Sequence, residues 1–193
     1  MAERSSRPVT KQRTPNAMKA IPSEKVFALD LHSLSFGYAM FEGSDELADW
    51  GIKSFRHGAN AVKIPLNVKL ASLLDQHEPN VVVIKAPRTA ALKKMARTIA
   101  AMARYRRIPV RLISRTSVRK AFPENNHNKY QIATVIAARF PELSPRLGLR
   151  RKFWQAEKYS MSIFDAAALG VTYFTHEHTA RGDLKGRMIA PSP

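Results

Sequence analysis

Apolar residues recur along the central part of the chain in short runs bounded by turn residues. Such runs are typical of buried strands, and the glycine and acidic residues at 43–45 indicate a turn between the second and third of them. The fourth run, VVVIK, is unusual because a lysine ends it. The predicted strands occupy 26–31, 35–43, 48–56, 81–84 and 109–114.

Helical spacing of apolar residues separates these strands. Periods of three and four predict helices from Leu66 to His77, from Leu92 to Met102, over 128–140 and over 162–174. Asn128 is a plausible N-cap of the third helix. The order β-β-β-α-β-α-β-α-α predicts an α/β fold in which a hairpin meander is followed by crossover units.

The two ends of the chain differ from its centre. Residues 1–24 are rich in proline, serine and basic residues and predict a flexible basic arm, with an organellar transit peptide as the less favoured alternative. Residues 179–193 predict a C-terminal tail, which leaves 25–178 as one domain. No apolar run is long enough for a membrane span. We expect a soluble protein, cytoplasmic or nucleoid-associated, with no membrane partner.

Charge adds a functional expectation to this fold. Lysine and arginine number 32 against 15 acidic residues, a net charge of +17, and no acid occurs between Pro79 and Pro123. A field of this size attracts polyanions, and nucleic acid is the leading candidate partner. The absence of cysteine excludes disulfides and thiolate metal sites.

Two aspartates stand in apolar surroundings. Asp30 interrupts the apolar first strand, and Asp165 lies within the last helix next to a run of alanines. Charged residues are seldom buried unless they are paired or bind a metal. Carboxylate oxygens suit Mg²⁺ or Mn²⁺, and such ions can promote hydrolysis of a phosphodiester. Each aspartate could instead be an ordinary turn or helix residue.

Four stretches together resemble the RuvC-type Holliday-junction resolvases of the ribonuclease H-like superfamily. They are FALDLHSLSFGYAMFEG, VVVIKAP, TSVRKAF with NKYQIATVIAARF, and FDAAALGVTYF. The resemblance implies a ribonuclease H-like α/β fold with a mixed five-stranded sheet and helices on both faces. It also implies catalytic and metal-binding roles for Asp30 and Asp165, with Mg²⁺ or Mn²⁺ as cofactor if the protein is active. Lys129 lies where the family tends to have a basic residue, and a homodimer is implied.

Two positions depart from the family pattern. Lys85 stands where the family has a metal-binding glutamate, and Ser162 stands where it often has a second acid. An ammonium group near two carboxylates would repel divalent cations and pair with the acids. Lys85 is therefore expected to occupy the charge position of a metal, unless its side chain extends to solvent.

Other candidates have weaker signals. His32 could be a ligand or base, although a hydrogen-bonded or surface histidine is the favoured interpretation. The histidines of HEH at 176–178 are expected to be solvated. Trp50, Phe153 and Trp154 could stack on bases, but packing in the core or an interface is favoured.

The favoured function is binding of nucleic acid, specifically branched or distorted DNA, with weak or no cleavage. One alternative is an active divalent-metal-dependent Holliday-junction endonuclease, and another is an architectural component of a large nucleoprotein assembly. The expected nucleic-acid contacts are Lys85, Arg88, Lys93, Lys94, Arg97, Arg115, Arg119, Lys120 and Lys129.

Overall fold

The computed structural model describes residues 24–55, 65–123, 128–148 and 159–188, with side chains of the last range up to residue 177. Residues 1–23 of the predicted N-terminal arm, Phe153 and Trp154 lie outside the described residues. The strands are β1 (Lys25–Leu31), β2 (Ser35–Glu42), β3 (Leu47–Ser54), β4 (Val81–Lys85) and β5 (Val110–Ile113). The helices are α1 (Leu66–His77), α2 (Ala90–Tyr105), α3 (Arg115–Ala121), α4 (Lys129–Arg139) and α5 (Met161–Met188), and a short 3-10 helix covers Pro141–Arg146.

The five strands form one mixed sheet in the order β3-β2-β1-β4-β5. Strands β1, β2 and β3 form an antiparallel meander, whereas β4 and β5 run parallel to β1. The connections β1–β4 and β4–β5 therefore need crossovers, which the helical segments supply. The predicted α/β class, the meander and the mixed five-stranded sheet with helices on both faces are confirmed.

The core has two parts, one on each face of the sheet. In β1, Val26 and Ala28 belong to the cluster beneath α4 and α5, whereas Phe27 and Leu29 belong to the cluster beneath α1 and α2. Successive side chains of a strand point to opposite faces, and the near-complete burial of β1 places it in the sheet centre. Because of this alternation, a residue at the end of a strand faces either α4 and α5 or α1 and α2.

Side-chain caps fix the starts of three helices. The Asn128 side chain accepts a hydrogen bond from the Gln131 backbone N–H at 3.0 Å, so the predicted N-cap of α4 is confirmed. Thr89 and Ser114 cap α2 and α3 in the same way. The helix α3 was not predicted. It has only seven residues, none of them buried, and so has no apolar period to detect.

The predicted end of the last helix at residue 174 is wrong. Helix α5 continues to Met188, into the range expected to be a tail. Residues 175–188 are mostly polar, so they lack the apolar period of a packed helix, but no proline interrupts the helical backbone before Pro191. Within the described ranges, no helix combines the length and apolar character needed to cross a membrane.

Candidate functional site

The carboxyl ends of β1 and β4 bring Asp30 and Lys85 side by side. The two strands are parallel neighbours, and Leu29 pairs with Ile84 immediately before these residues. Strand alternation places Asp30 and Lys85 on the sheet face covered by α5. Asp165, in the first turns of α5, faces the same point. The end of a strand in an open α/β sheet is where ligand sites commonly form.

Lys85 bridges the two aspartates. Its Nζ lies 3.0 Å from Oδ1 of Asp30 and 3.1 Å from Oδ2 of Asp165. The Asp30 side chain is only 1% exposed, whereas the Lys85 side chain is 32% exposed. The Lys85 ammonium thus points toward the two aspartates. The alternative interpretation, in which the side chain extends to solvent, does not describe this arrangement.

Two further groups complete the cluster. Lys129, at the start of α4, places its Nζ 2.7 Å from Oδ2 of Asp165. His32 places Nε2 2.8 Å from Oδ2 of Asp30, so the imidazole N–H donates to the carboxylate. His32 is therefore a hydrogen-bonded histidine at the site's edge. Two carboxylates and two ammonium groups balance, so the centre is close to neutral when His32 is unprotonated.

The pKa values of the two aspartates are shifted in opposite directions. Burial raises the pKa of Asp30, but the His32 hydrogen bond and the Lys85 charge outweigh burial and hold the pKa below its usual value. Burial, followed by repulsion from Asp30, raises the pKa of Asp165 despite the two lysines. Burial opposes the charged form of Lys85, but Asp165 and Asp30 outweigh that effect and raise the pKa of Lys85. The ammonium therefore stays charged at neutral pH.

The residues at this centre do not fit a divalent metal ion. A magnesium or manganese site needs several oxygen ligands with few competing cations. Here the ammonium groups of Lys85 and Lys129 already neutralise both carboxylates. Among the described residues, no group of three or more histidine, aspartate or glutamate side chains could hold a metal. The chemistry of this donor set favours an ion-paired centre.

Ser162 lies at a tight contact between α5 and β2. A Cβ atom on Gly37 would collide with the Ser162 side chain and backbone, so only glycine allows this approach. Gly37 pairs with Asp30 in the antiparallel ladder, which places the contact next to the cluster. The Ser162 hydroxyl is buried and has no hydrogen-bond partner within the part of the chain described here. A bulkier acid at this position would press on β2.

A basic cleft opens above the ion-paired centre. It has a volume of about 820 Å³ and lies between the loops that follow β4 and β5. Its cationic lining residues are Lys85, Arg88, Arg115, Arg119 and Lys129, and the described part of the chain contributes no acid to the lining. These five belong to the predicted nucleic-acid contacts. Lys85 and Lys129 therefore belong both to the cleft and to the ion pairs beneath it.

The remaining predicted contacts lie on other surfaces. Lys93 and Arg97 line a groove between α2 and β5, and Lys94 is exposed on the same helix. Lys120 is exposed at the end of α3. The structure therefore does not unite all nine predicted basic residues in one cleft. Their roles in binding stay predictions.

Trp50 and His176 lie away from the centre. Trp50 packs against the core of the α5 face, and the Arg146 guanidinium lies 5.5 Å from its ring centroid. That position agrees with packing as its main role. His176 lies within α5, beyond the part of the helix that covers the sheet.

Sequence reasoning missed the pairing of Lys129 with Asp165. The resemblance pointed to Lys129 as a basic residue opening a helix, and nothing in its neighbours along the chain signals an acidic partner 36 positions away. Only the packing of α4 against α5 brings the two together.

The strand order, the antiparallel meander and the two parallel strands define a ribonuclease H-like α/β fold. Two solved structures share this fold. Thermus thermophilus RuvC, both free and in complex with a Holliday-junction substrate, is 15% identical with a TM-score of 0.55, and the match covers 80% of this chain and 96% of RuvC. The fowlpox virus resolvase, solved with Holliday-junction DNA, is 13% identical with a TM-score of 0.49 over 79% of this chain and 98% of the resolvase.

The chain therefore has a RuvC-like fold. Comparison with protein-family models found no match, and comparison with curated proteins found none either.

Proposed function

We propose that the protein binds branched DNA through the basic cleft and cleaves it weakly or not at all. The observation that carries the proposal is the Lys85 ammonium held 3.0 and 3.1 Å from the carboxylates of Asp30 and Asp165. A divalent ion would have to displace this lysine and overcome the charge of Lys129. The protein can bind DNA phosphates without cleaving DNA, because the arginines of the cleft do not belong to the ion-paired centre.

Electrostatics supports binding at the cleft. Arg88, Arg115 and Arg119 are exposed cationic side chains, and the cleft lining formed by the described residues holds no acid beside them. Phosphate contacts of this kind supply much of the affinity for nucleic acid and make it fall with salt. Branched DNA is the proposed substrate class because Thermus thermophilus RuvC, which has a similar fold, was solved in complex with a Holliday-junction substrate.

The second candidate function is that of a divalent-metal-dependent Holliday-junction endonuclease, and one observation favours it. Both aspartates that the resemblance assigns to the metal site converge on one point, where Lys85 contacts each of them. In this alternative, metal and DNA together displace Lys85 toward solvent. The proposed homodimer would serve either function, because a symmetric protein can address two strands of a junction.

A labelled four-way junction, with a linear duplex of equal length beside it, tests the proposal. We expect preferential binding of the junction, affinity that falls steeply between about 50 and 200 mM salt, and no multiple-turnover cleavage with Mg²⁺ or Mn²⁺. Cleavage over many turnovers that depends on Asp30 would establish the enzyme instead. Equal affinity for the two DNAs would remove the claim of branch recognition.

A matched pair of charge reversals locates the binding face. Arg119→Glu places an acid in the cleft. Lys25→Glu makes the same charge change at the start of β1, about 17 Å along the strand from Asp30 at the ion-paired centre. We expect Arg119→Glu to weaken junction binding much more than Lys25→Glu. Equal losses would show that net charge alone governs binding and that the cleft is not the contact surface.

A further inference from the structure

An apolar groove runs beside the last strand of the sheet. It lies between α2 and β5 and has a volume of about 840 Å³. Its floor is aliphatic and consists of Ala96, Ala100, Ile108, Val110 and Leu112. Leu112 is 60% exposed, although strand alternation turns it toward the face that α2 covers. The helix therefore leaves part of the apolar face of β5 uncovered.

The backbone of β5 is open along the same groove. The Val82 and Ala86 N–H groups donate to the carbonyls of Pro109 and Ile113, so alternate residues of β5 bond to β4. The N–H and C=O groups of Val110 and Leu112 consequently point away from β4. In the sheet formed by the described residues, β5 is the end strand. Such an edge can pair with a further strand.

Positive charge surrounds the groove. Lys93, Arg97, Arg104 and Arg107 line it, and none of the described residues that line it is acidic. Edge strands are commonly protected by charged side chains, and Arg111 can serve that purpose on β5. Protection alone does not need an aliphatic groove of this volume with four cations around it. The combination of open backbone, apolar floor and cationic rim fits a specific kind of ligand.

We propose that this groove binds an extended acidic segment of a partner protein, which adds to the sheet beside β5 as a sixth strand. Its backbone pairs with Val110 and Leu112, its apolar side chains pack on the aliphatic floor, and its carboxylates meet the arginines of α2. The inference goes beyond the proposed function and does not depend on it, because DNA binding is assigned to the separate cleft at the strand ends.

Other occupants match the groove less well. Single-stranded nucleic acid binds by stacking bases on aromatic rings, and the lining of the groove contains no aromatic ring within the described ranges of the chain. A second copy of the chain would bring the same four cations face to face, which is unfavourable without bound anions. A peptide alone can satisfy the open backbone groups and the cations together.

Fluorescence anisotropy with defined octapeptides tests the proposal. The probe alternates valine and glutamate, and two controls keep its charge: one replaces valine by serine, and the other methylates alternate backbone nitrogens. We expect the probe to bind at least about tenfold more tightly than either control, because each control loses the apolar or the backbone contacts. Equal binding of all three would show charge attraction alone and overturn the proposal.

Two variants place the probe on the groove. Leu112→Asn removes an exposed apolar contact with little risk to folding, and we expect it to weaken probe binding severalfold. Lys94→Glu reverses a charge on the same helix outside the groove lining and should change binding less than Arg97→Glu does. Slowed amide exchange at Val110 and Leu112 on probe addition would establish strand pairing. Unchanged exchange at both would contradict it.

The oligomeric state of the variants and competition between the probe and single-stranded DNA distinguish the other occupants. If the protein is a dimer that Leu112→Asn converts to a monomer, a second copy fills the groove and the proposal is wrong. If single-stranded DNA displaces the probe equally well from the Arg119→Glu variant, nucleic acid competes for the groove itself and the proposal is also wrong. Displacement that Arg119→Glu abolishes would place DNA in the cleft and support separate sites.

Discussion

Two sets of ion pairs in this molecule have similar distances but different surroundings. Lys85 lies 3.0 Å from Asp30, whose side chain is almost completely buried, whereas Arg106 lies 2.8 Å from Asp75, whose side chain is mostly exposed. An exposed pair contributes little because water and salt screen it. Breaking a buried pair leaves an uncompensated charge, which is costly. Burial, more than distance, decides which charges the fold depends on.

The largest effect is expected where the buried pair is turned into repulsion. Lys85→Glu would place a third carboxylate beside Asp30 and Asp165. In EDTA we expect the free energy of unfolding to fall by more than about 3 kcal/mol, because like charges then share a buried site. Manganese should restore about 2.7 kcal/mol when its concentration is a hundredfold above the dissociation constant. Denaturant unfolding with and without Mn²⁺ measures both changes.

Calorimetric titration with Mn²⁺ supplies the control for this variant. Wild type should bind the ion much more weakly than Lys85→Glu, because its carboxylates are already neutralised. If wild type binds Mn²⁺ at least as tightly, the lysine does not occupy the place of a metal, and the active endonuclease becomes the better proposal.

Removing the buried ammonium without reversing it should have the next largest effect. In Lys85→Met the aliphatic part of the side chain is kept, but Asp30 loses a charged partner. We expect a loss of about 3 kcal/mol, the lower end for breaking a buried pair, because a third of the Lys85 side chain reaches solvent. Urea unfolding measures it. A loss no greater than that of Arg106→Met would show that the two sets of pairs are equivalent.

The protonation of His32 should make a smaller contribution to the free energy of unfolding, and this contribution depends on pH. The hydrogen bond to Asp30 raises the pKa of His32 above its ordinary 6.5, against the opposing effect of burial. A raised pKa means that protonation favours the folded state, so the added stability is fully present below pH 6.5 and is lost as pH rises through the folded value. Wild type and His32→Gln should therefore differ most at low pH.

Nuclear magnetic resonance of the imidazole protons checks the same point directly. The titration midpoint of His32 should lie above that of a histidine in an unfolded peptide of this sequence. A midpoint at or below 6.5 would show that the contact with Asp30 does not hold the proton in solution.

The smallest effect is expected at the exposed pair. Arg106→Met and Asp75→Asn should each leave the melting temperature unchanged within error, because the Asp75 side chain is 63% exposed and its carboxylate is screened by water and salt. Thermal unfolding at low and high salt measures this. A clear loss for either variant would mean that exposure does not separate the two sets of ion pairs.

The fold was predictable because its signals are local. Short apolar runs such as 26–31 and 81–84 identified the central strands, and Asn128 identified the start of α4. Helix α3 was not predictable in this way, because a helix of seven residues without a buried face has no period. The full length of α5 was missed for a similar reason, since its last part is polar.

The candidate site was predictable only in part. The resemblance let Asp30 and Lys85 be placed together, and the structure has both near the carboxyl ends of neighbouring parallel strands. The ion pair of Lys129 with Asp165 and the contact of Gly37 with Ser162 depend on how helices pack on the sheet. Such contacts between distant parts of the chain have no signature in the order of neighbouring residues.

The ammonium at the end of β4 also bears on how this fold can change over generations. A lysine codon becomes a glutamate codon through a single-base change, so a sequence with a metal-ligand carboxylate at position 85 is a neighbour of this one. With glutamate there, divalent ions would add to the stability of the fold, whereas the lysine already balances the charge of both aspartates without them. A single base thus separates a strand end whose stability responds to divalent ions from one whose counter-charge is part of the chain.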